Sequence, residues 1–592
     1  MQTNLENNMK LFINTLIVAA FLCLFTSSLQ AQGIAYPLNN EAVYHHIDRF
    51  DILYGHNAYL HTAHKTYSRG DVTKYALSLD SSKHISDIDR AALQYIYDDN
   101  NEWLTQNDLP LTLAGKRDTA NEAPTPPQYR RRKKPLLKYF YQTPANLFEI
   151  HQKGLDIKLN PIINVSLSKG KDDAELAFVN QRGVELRGSI DNRVYFYTNI
   201  VESQSRFPNY VTTFIEKNQA IPDAGLYKPY PGLLFKIRNG YDYLNAQGII
   251  GFNVTPHIGV QMGHGKQFIG DGMRSLLLSD FANNYTFLRI NTKIWKFDYQ
   301  NIFAQLHADN HGNSSSALVG KKYMAFHQLS YNVNSRLNIG IFESVISHRA
   351  KRFDVEYFNP LIFYRSIEHG LGSPDNVILG ANFKWNVAKR FSIYGQLILD
   401  EFYFQKLFLD NQGWWANKYG GQIGVKYINA FNIDHLDLQV EYNKVRPFTY
   451  SHFDSVDNYT HGNLPLAHPL GANFKEFIFK ARYQPTWKWL FEGRIMSATA
   501  GENAANVNWG NDPYIPYDRN RKTEYGYFTT AGVKAKTLLV TFDASYQLYH
   551  NMFLDFHMLA RKKDSQDVTR NERTLYFGGG FRMNFGNLRL DF

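Results

Sequence analysis

The sequence predicts an all-β protein: a transmembrane antiparallel β-barrel of about eighteen strands, preceded by a small, partly helical region. Three observations carry this. Aromatic residues make up 15% of the chain, yet mean hydropathy is only −0.40. From Leu155 onward apolar and polar residues alternate with period two, the mark of strands with one apolar face. The links between these runs are alternately short and long, as tight periplasmic turns and long external loops would be.

The chain has 592 residues and opens with an export signature. Met9-Lys10 is followed by the apolar run "LFINTLIVAAFLCLF" and then "TSSLQAQG", which places a small residue, Ala31, at a cleavage point. Residues 1–31 are expected to be a signal peptide, with Met9 as the functional start and a mature chain from near Gln32. The sole cysteine, Cys23, lies inside this segment. Leu22 stands before it where a lipoprotein signal needs a small residue. The exported chain is therefore expected to use neither disulfides nor thiol chemistry. Its net charge of +10 points to lipopolysaccharide and surface polysaccharide as acidic partners rather than nucleic acid. A merely solvated basic surface explains the charge equally well.

Residues 32–120 form the expected helical region, on the periplasmic side. In "SDIDRAALQYIYDDNNEWL", Ser86 is a candidate N-cap, and Ile88, Ala91, Ala92, Tyr95 and Ile96 share one helix face. Residues 121–150 carry the Pro-rich linker "NEAPTPPQYRRRKKP" with a basic run from Arg130 to Lys134. It is a solvated linker or a contact for phosphate-bearing headgroups.

The barrel is expected over 151–592. In "TLLVTFDASYQLYHNMFLDFHMLA", Leu538, Val540, Phe542, Ala544, Tyr546 and Leu548 lie on one face. The alternation continues through Met552, Leu554, Phe556 and Met558, giving one strand long enough to cross a bilayer and project beyond it. Short links fall at 190–193, 255–257, 296–298, 333–336, 387–390, 431–434, 485–488 and 534–537. Long ones fall near 203–244, 264–284, 309–321, 348–375, 403–418, 447–473, 500–522 and 562–572. The closing "NLRLDF" places Leu588, Leu590 and Phe592 on one face of an expected last strand.

The stretch "GHGKQFIGDGMRSLLLSD" imitates a phosphate-binding loop. Gly265 and Gly270 have the right spacing, but Asp271-Gly272 stands where Lys-Ser/Thr is needed. A carboxylate there repels phosphate, so no nucleotide is expected. The glycines instead let a long loop fold into or over the barrel mouth.

Three loop segments, "GKQFIGDGMRSLLLSDFANNY", "YFNPLIFYRSIEHGLGSPDNVILG" and "EYNKVRPFTYSHFDSVDNYTHGNLPLAHPLGANFKE", resemble the Wzi family of capsule-assembly outer-membrane proteins. Within it they resemble the RemB-like gliding-motility branch of Bacteroidetes. The resemblance covers the barrel and, more loosely, the helical region. It implies an outer-membrane barrel with a small periplasmic helical part and surface loops that engage polysaccharide. The branch implies a part in gliding, with gliding or secretion machinery as partners.

The third segment supplies a candidate polysaccharide site. Tyr450 and Tyr459 offer ring faces to sugars, while Arg446, His452, His461 and His468 offer hydrogen-bond donors. The three histidines with Asp454 and Asp457 are too widely spaced within one loop for a zinc site, so neither metal nor cofactor is expected. The loops Gly263–Asp280 and Tyr357–Val377 are expected to fill the lumen. Asp271, Arg274, Asp280, Arg365, Glu368, His369 and Asp375 would be their charged network. No plug-like N-terminal domain of the size used by active transporters is evident. Ser275 has no histidine nearby in sequence and no nucleophile elbow occurs, so a non-enzymatic protein is expected. A saccharide channel and a membrane-embedded hydrolase are the competing functions.

Overall fold

The computed structural model describes residues 34–55, 60–80, 85–104, 140–171, 173, 175–232, 237–309, 319–348, 355–359, 361, 363–372, 375–403, 405–406, 412–586 and 589–592. The expected signal peptide and the basic linker run lie outside these residues. Twenty strands form one antiparallel sheet. Two of them, Phe148–Gln152 and Lys228–Gly232, are five-residue additions. The other eighteen close into a barrel. Closure occurs where Leu155–Gly170 pairs with Leu176–Ile190 on one edge and Glu572–Met583 on the other.

Period-two alternation sorts side chains between lumen and lipid. On Leu337–Ser347, Asn338, Phe342, Ser344 and Ile346 are buried inward, while Ile339 and Ile341 are exposed outward. Ile250, Met262, Leu397, Ile423, Phe477, Leu538 and Leu554 continue this outer apolar belt. Aromatic clusters stand at the short-turn end, including Trp295 with Phe297 and Tyr331, and Trp489 with Phe491 and Tyr546. An apolar belt edged by aromatic rings defines an outer-membrane β-barrel.

One expected strand is two. Val533–Tyr549 and Met552–Ser565 are separated by His550-Asn551, with a bulge between Gln547 and Tyr549. The bulge shifts register by one residue. Even-numbered side chains therefore face lipid in both strands, and the alternation runs through the turn unbroken. Residues 534–537 lie inside the first of these strands rather than in a link.

The end of the sequence also departs from expectation. The last strand stops at Met583, and the tail turns inward. Arg589 pairs with Glu41 at 2.7 Å, and Asp591 pairs with Arg274 at 3.3 Å and with Arg494. The Phe592 ring packs against Tyr210, Phe214 and Phe281. Both charged side chains find lumenal partners only by this route. Beside Leu155–Leu159 the edge is instead covered by Phe148–Gln152.

The helices α1 (Glu41–Tyr54), α2 (Arg69–Asp80) and α3 (Asp87–Asp99) stand inside the short-turn mouth as a plug. Ser86 caps α3 by accepting from the Asp89 N–H at 3.1 Å, and Ala92, Tyr95 and Ile96 are buried. Their apolar faces pack on one another, leaving the charged faces to dock on the wall. Arg49 pairs with Asp437 at 2.8 Å, Asp48 and Asp51 each meet Lys384 at 2.7 Å, and Arg69 and Arg187 share Asp99. The sequence shows those charged faces but gives no reason to turn them toward a wall rather than water.

Candidate functional site

Two of the long external loops fold into the lumen. In residues 266–284, Ile269, Leu276, Leu277 and Leu278 join an internal apolar cluster with Phe326, Ile398, Val445 and Phe474. The backbone N–H groups of Met273 and Arg274 donate to Glu441 at 2.6 and 3.1 Å. The Arg274 guanidinium reaches Glu476 at 3.3 Å. Gly270 sits at φ +134°, where a Cβ would fall 2.6 Å from Gln396 Nε2. Its N–H donates to the plug at Ala63 O, at 2.6 Å. Plug and loop thus meet within the barrel. Asp271 lies 3.8 Å from Lys384, and the backbone carbonyl of Asp280 accepts from Lys266 Nζ.

The loop 446–473 is the second of these, and its candidate sugar-binding residues are buried within it. Tyr450 and Tyr459 are 2% and 1% exposed and stack at 5.8 Å, with Tyr450 Oη donating to Leu276 O. His461 Nδ1 accepts from the His307 N–H, and its Nε2 faces Asn284 O at 3.1 Å. Burial holds this ring neutral, its pKa pushed down to about 3. His468 contacts Glu476 at 2.8 Å and stacks on Phe474. Burial likewise lowers the pKa of His452, whose ring packs on Phe453. Arg446 donates to Asn417 O, Trp414 O and Tyr527 O at 2.7, 3.0 and 3.0 Å, tying three external loops together. In this geometry these residues form a frame beneath the outer surface. Among the described residues no group of three or more His, Cys, Asp or Glu could hold a metal.

The other expected lumen-filling loop lies outside the barrel. Tyr357 and Tyr364 cluster with Phe303, Ala325, Val345 and Val377, which are out of phase with the internal residues Ile302, Met324, Phe326, Ile346 and Ile378. Arg365 pairs with Glu368 at 2.8 Å, Asp375 accepts from Tyr357 Oη at 2.6 Å, and His369 is exposed. These four groups thus belong to the outer wall, because the strand carboxylate that holds their loop, Glu343, points outward.

Above Arg446 lies an aromatic and cationic rim. Trp415 is held by Nε1 donating to Glu524 at 2.7 Å. The Arg521 guanidinium covers its ring at 3.8 Å, and Tyr517 packs beside it at 4.7 Å. Lys418 Nζ lies 4.2 Å from the Tyr517 centroid. Tyr403, Phe453, Tyr525 and Phe528 are exposed around this centre, and Lys406 donates to Tyr525 Oη. Aromatic faces beside paired cations and carboxylates can stack on sugar rings and bond their hydroxyls. Sequence reasoning missed this rim. Its signal was "GWW" at 413–415 and the interleaved aromatic and basic residues of "YIPYDRNRKTEYGYF" at 514–528.

No protein-family model matches the chain, and no curated protein does. Among solved structures it is similar to Wzi of Escherichia coli, described as a carbohydrate-binding β-barrel outer-membrane protein involved in group 1 capsule assembly. The TM-score is 0.54 at 12% identity, over 94% of this chain and 99% of that one. The Pseudomonas aeruginosa protein OprD aligns over 72% of this chain and 94% of its own, with TM-score 0.40 and 11% identity. At such identities the Wzi likeness establishes the fold: the chain is a barrel of the same architecture.

Proposed function

We propose that this protein is a sealed, non-enzymatic outer-membrane barrel that holds a surface polysaccharide on its external rim. It thereby contributes to attachment of capsule or exopolysaccharide, or to gliding over surfaces. The observation that carries the reading is the rim around Trp415, where aromatic faces and paired charges stand over a filled lumen. The fold shared with Wzi, itself a carbohydrate-binding barrel, supports the glycan class. The three loop segments that resemble the RemB-like branch support the gliding role. A saccharide channel is disfavoured by the loops and plug that occupy the lumen.

In this reading Trp415, Tyr517 and Arg521 touch the glycan. Arg446, Tyr450, His452, Tyr459, His461 and His468 position them from below. The test is pull-down on the cell's own surface glycan, with heat-modifiable gel migration to report assembly. Trp415→Ala and Tyr517→Ala should each weaken binding by about 1–2 kcal/mol, roughly five- to thirtyfold, with assembly intact. Retained binding in both variants would remove the rim from the site.

A further inference from the structure

The outer wall carries polar groups where lipid is expected. On Leu337–Ser347 the lipid-facing residues run Ile339, Ile341, Glu343 and Val345. The first two are 44% and 52% exposed, while Glu343 and Val345 are each 1% exposed. His327 and Asn301, on the two strands beyond, also face outward and are buried. A carboxylate on the lipid side of a barrel costs several kcal/mol unless its hydrogen bonds are satisfied. Here they are. The N–H groups of Tyr364 and Arg365 donate to Glu343 at 2.6 and 2.9 Å, and His327 Nε2 contacts it at 3.1 Å. The other ring nitrogen of His327 meets Tyr299 Oη at 3.1 Å, and the Tyr364 ring stacks on the imidazole at 4.4 Å.

The covering piece is the 3₁₀ turn Val355–Phe358 and helix α4 (Tyr364–Leu371). Its inner side contributes Tyr357, Tyr364 and Ile367 to the wall cluster. Its other side presents Phe358, Leu361, Phe363 and Leu371, at 42%, 84%, 60% and 37% exposure. Apolar side chains this exposed need a cover. They stand directly external to Ile339 and Ile341, so they prolong the apolar belt.

We infer that the 3₁₀ turn and helix α4, with Leu361 and Phe363 between them, are a membrane-seated ledge folded down over the outer wall, whose Phe358, Leu361, Phe363 and Leu371 enter the acyl region of the outer leaflet. The occupant of this surface is lipid, because the patch is continuous with the belt that already faces lipid. Short amphipathic helices seat themselves in this way, apolar side inward. Glu343 is the clamp that holds the ledge in place. The ledge would resist tilting and lateral drag on a barrel whose external rim is pulled.

Site-directed spin labelling tests this in vesicles of phosphatidylethanolamine and phosphatidylglycerol. Labels are placed by Leu361→Cys and Phe363→Cys in a Cys23→Ser background, with Ala505→Cys on the exposed loop 503–532 as the aqueous control. At both ledge positions, oxygen collisions should exceed those with a water-soluble nickel chelate by at least about fivefold, with the control reversed. Nickel access like that of the control would overturn the ledge. Exclusion of both reagents would mean a protein cover, such as a second copy, and would overturn lipid as the occupant. Adding Glu343→Ala should return both labels to the control's nickel access. An unchanged immersion would overturn the clamp. Should that variant fail to assemble, the labels in the Glu343 chain still decide the occupant.

Discussion

Two loops that look alike in sequence end on opposite sides of the wall. Residues 266–284 and 355–372 both mix glycine, arginine, carboxylates and a short apolar stretch, "SLLL" in one and "PLIF" in the other. Each is captured by the same device, a strand glutamate that accepts two consecutive backbone N–H groups. Met273 and Arg274 bind Glu441, while Tyr364 and Arg365 bind Glu343. The difference lies in phase. Glu441 shares the lumenal face of its strand with Asp437, Gln439 and Asn443, whereas Glu343 shares the lipid face with Ile339 and Ile341. Loop placement is therefore decided by the wall, not by the loop's own composition.

The largest test of this comparison removes the inner clamp. Glu441 also accepts from Tyr394, Gln422 and Asn443, so Glu441→Ala strands several buried donors. A loss of about 3–5 kcal/mol is expected, read as a lower heat-modification temperature. Single-channel current should rise above that of the parent chain. A fully stable variant with the parent's current would break the claim that this glutamate holds the seal.

Asp591 comes next, because it pairs with both Arg274 and Arg494. Asp591→Asn leaves two buried guanidinium groups short of charge, at about 3 kcal/mol, and should give intermittent conductance. The outer clamp should behave differently. Glu343→Ala is expected to cost about 2–3 kcal/mol and to expose 355–371 to protease, while the lumen stays closed. Conductance in that variant would sharpen the comparison by revealing coupling across the wall.

The smallest effect concerns pH and the plug. Burial raises the Asp48 carboxyl, but Lys384, Lys426 and Lys65 more than reverse this and hold it well below its ordinary value. A depressed folded value means the contribution is complete above the unfolded pKa of about 3.9. It is lost as pH falls through the lower folded value. The Asp48 contribution, read as the difference in heat-modification between the parent and Asp48→Asn chains, should therefore be flat from neutral pH down to about pH 4 and fall only in stronger acid. Asp48→Asn should bring part of that loss to neutral pH.

Much of the barrel was legible in the residues because alternation and turn chemistry are local. The strand Leu436–Val445, "LDLQVEYNKV", separates lumen from lipid residue by residue, and helix α3 announces its cap at Ser86. Even the outer ledge left a trace: in "LNIGIFESVIS" Glu343 falls on the apolar phase of its own strand, a charge that nothing local explains. The rest depends on partners distant in sequence. The tail "NLRLDF" has strand-like alternation, yet Arg589 and Asp591 are drawn inward by Glu41, Arg274 and Arg494. Tyr450, His461 and His468 have the residue types of a sugar site, yet the loop 266–284 and the wall enclose them. Periodicity fixes which side chains share a face. Only closure of the barrel decides which charges and rings that face will meet, because a buried ion needs its counter-charge and a buried donor its acceptor wherever in the chain these lie.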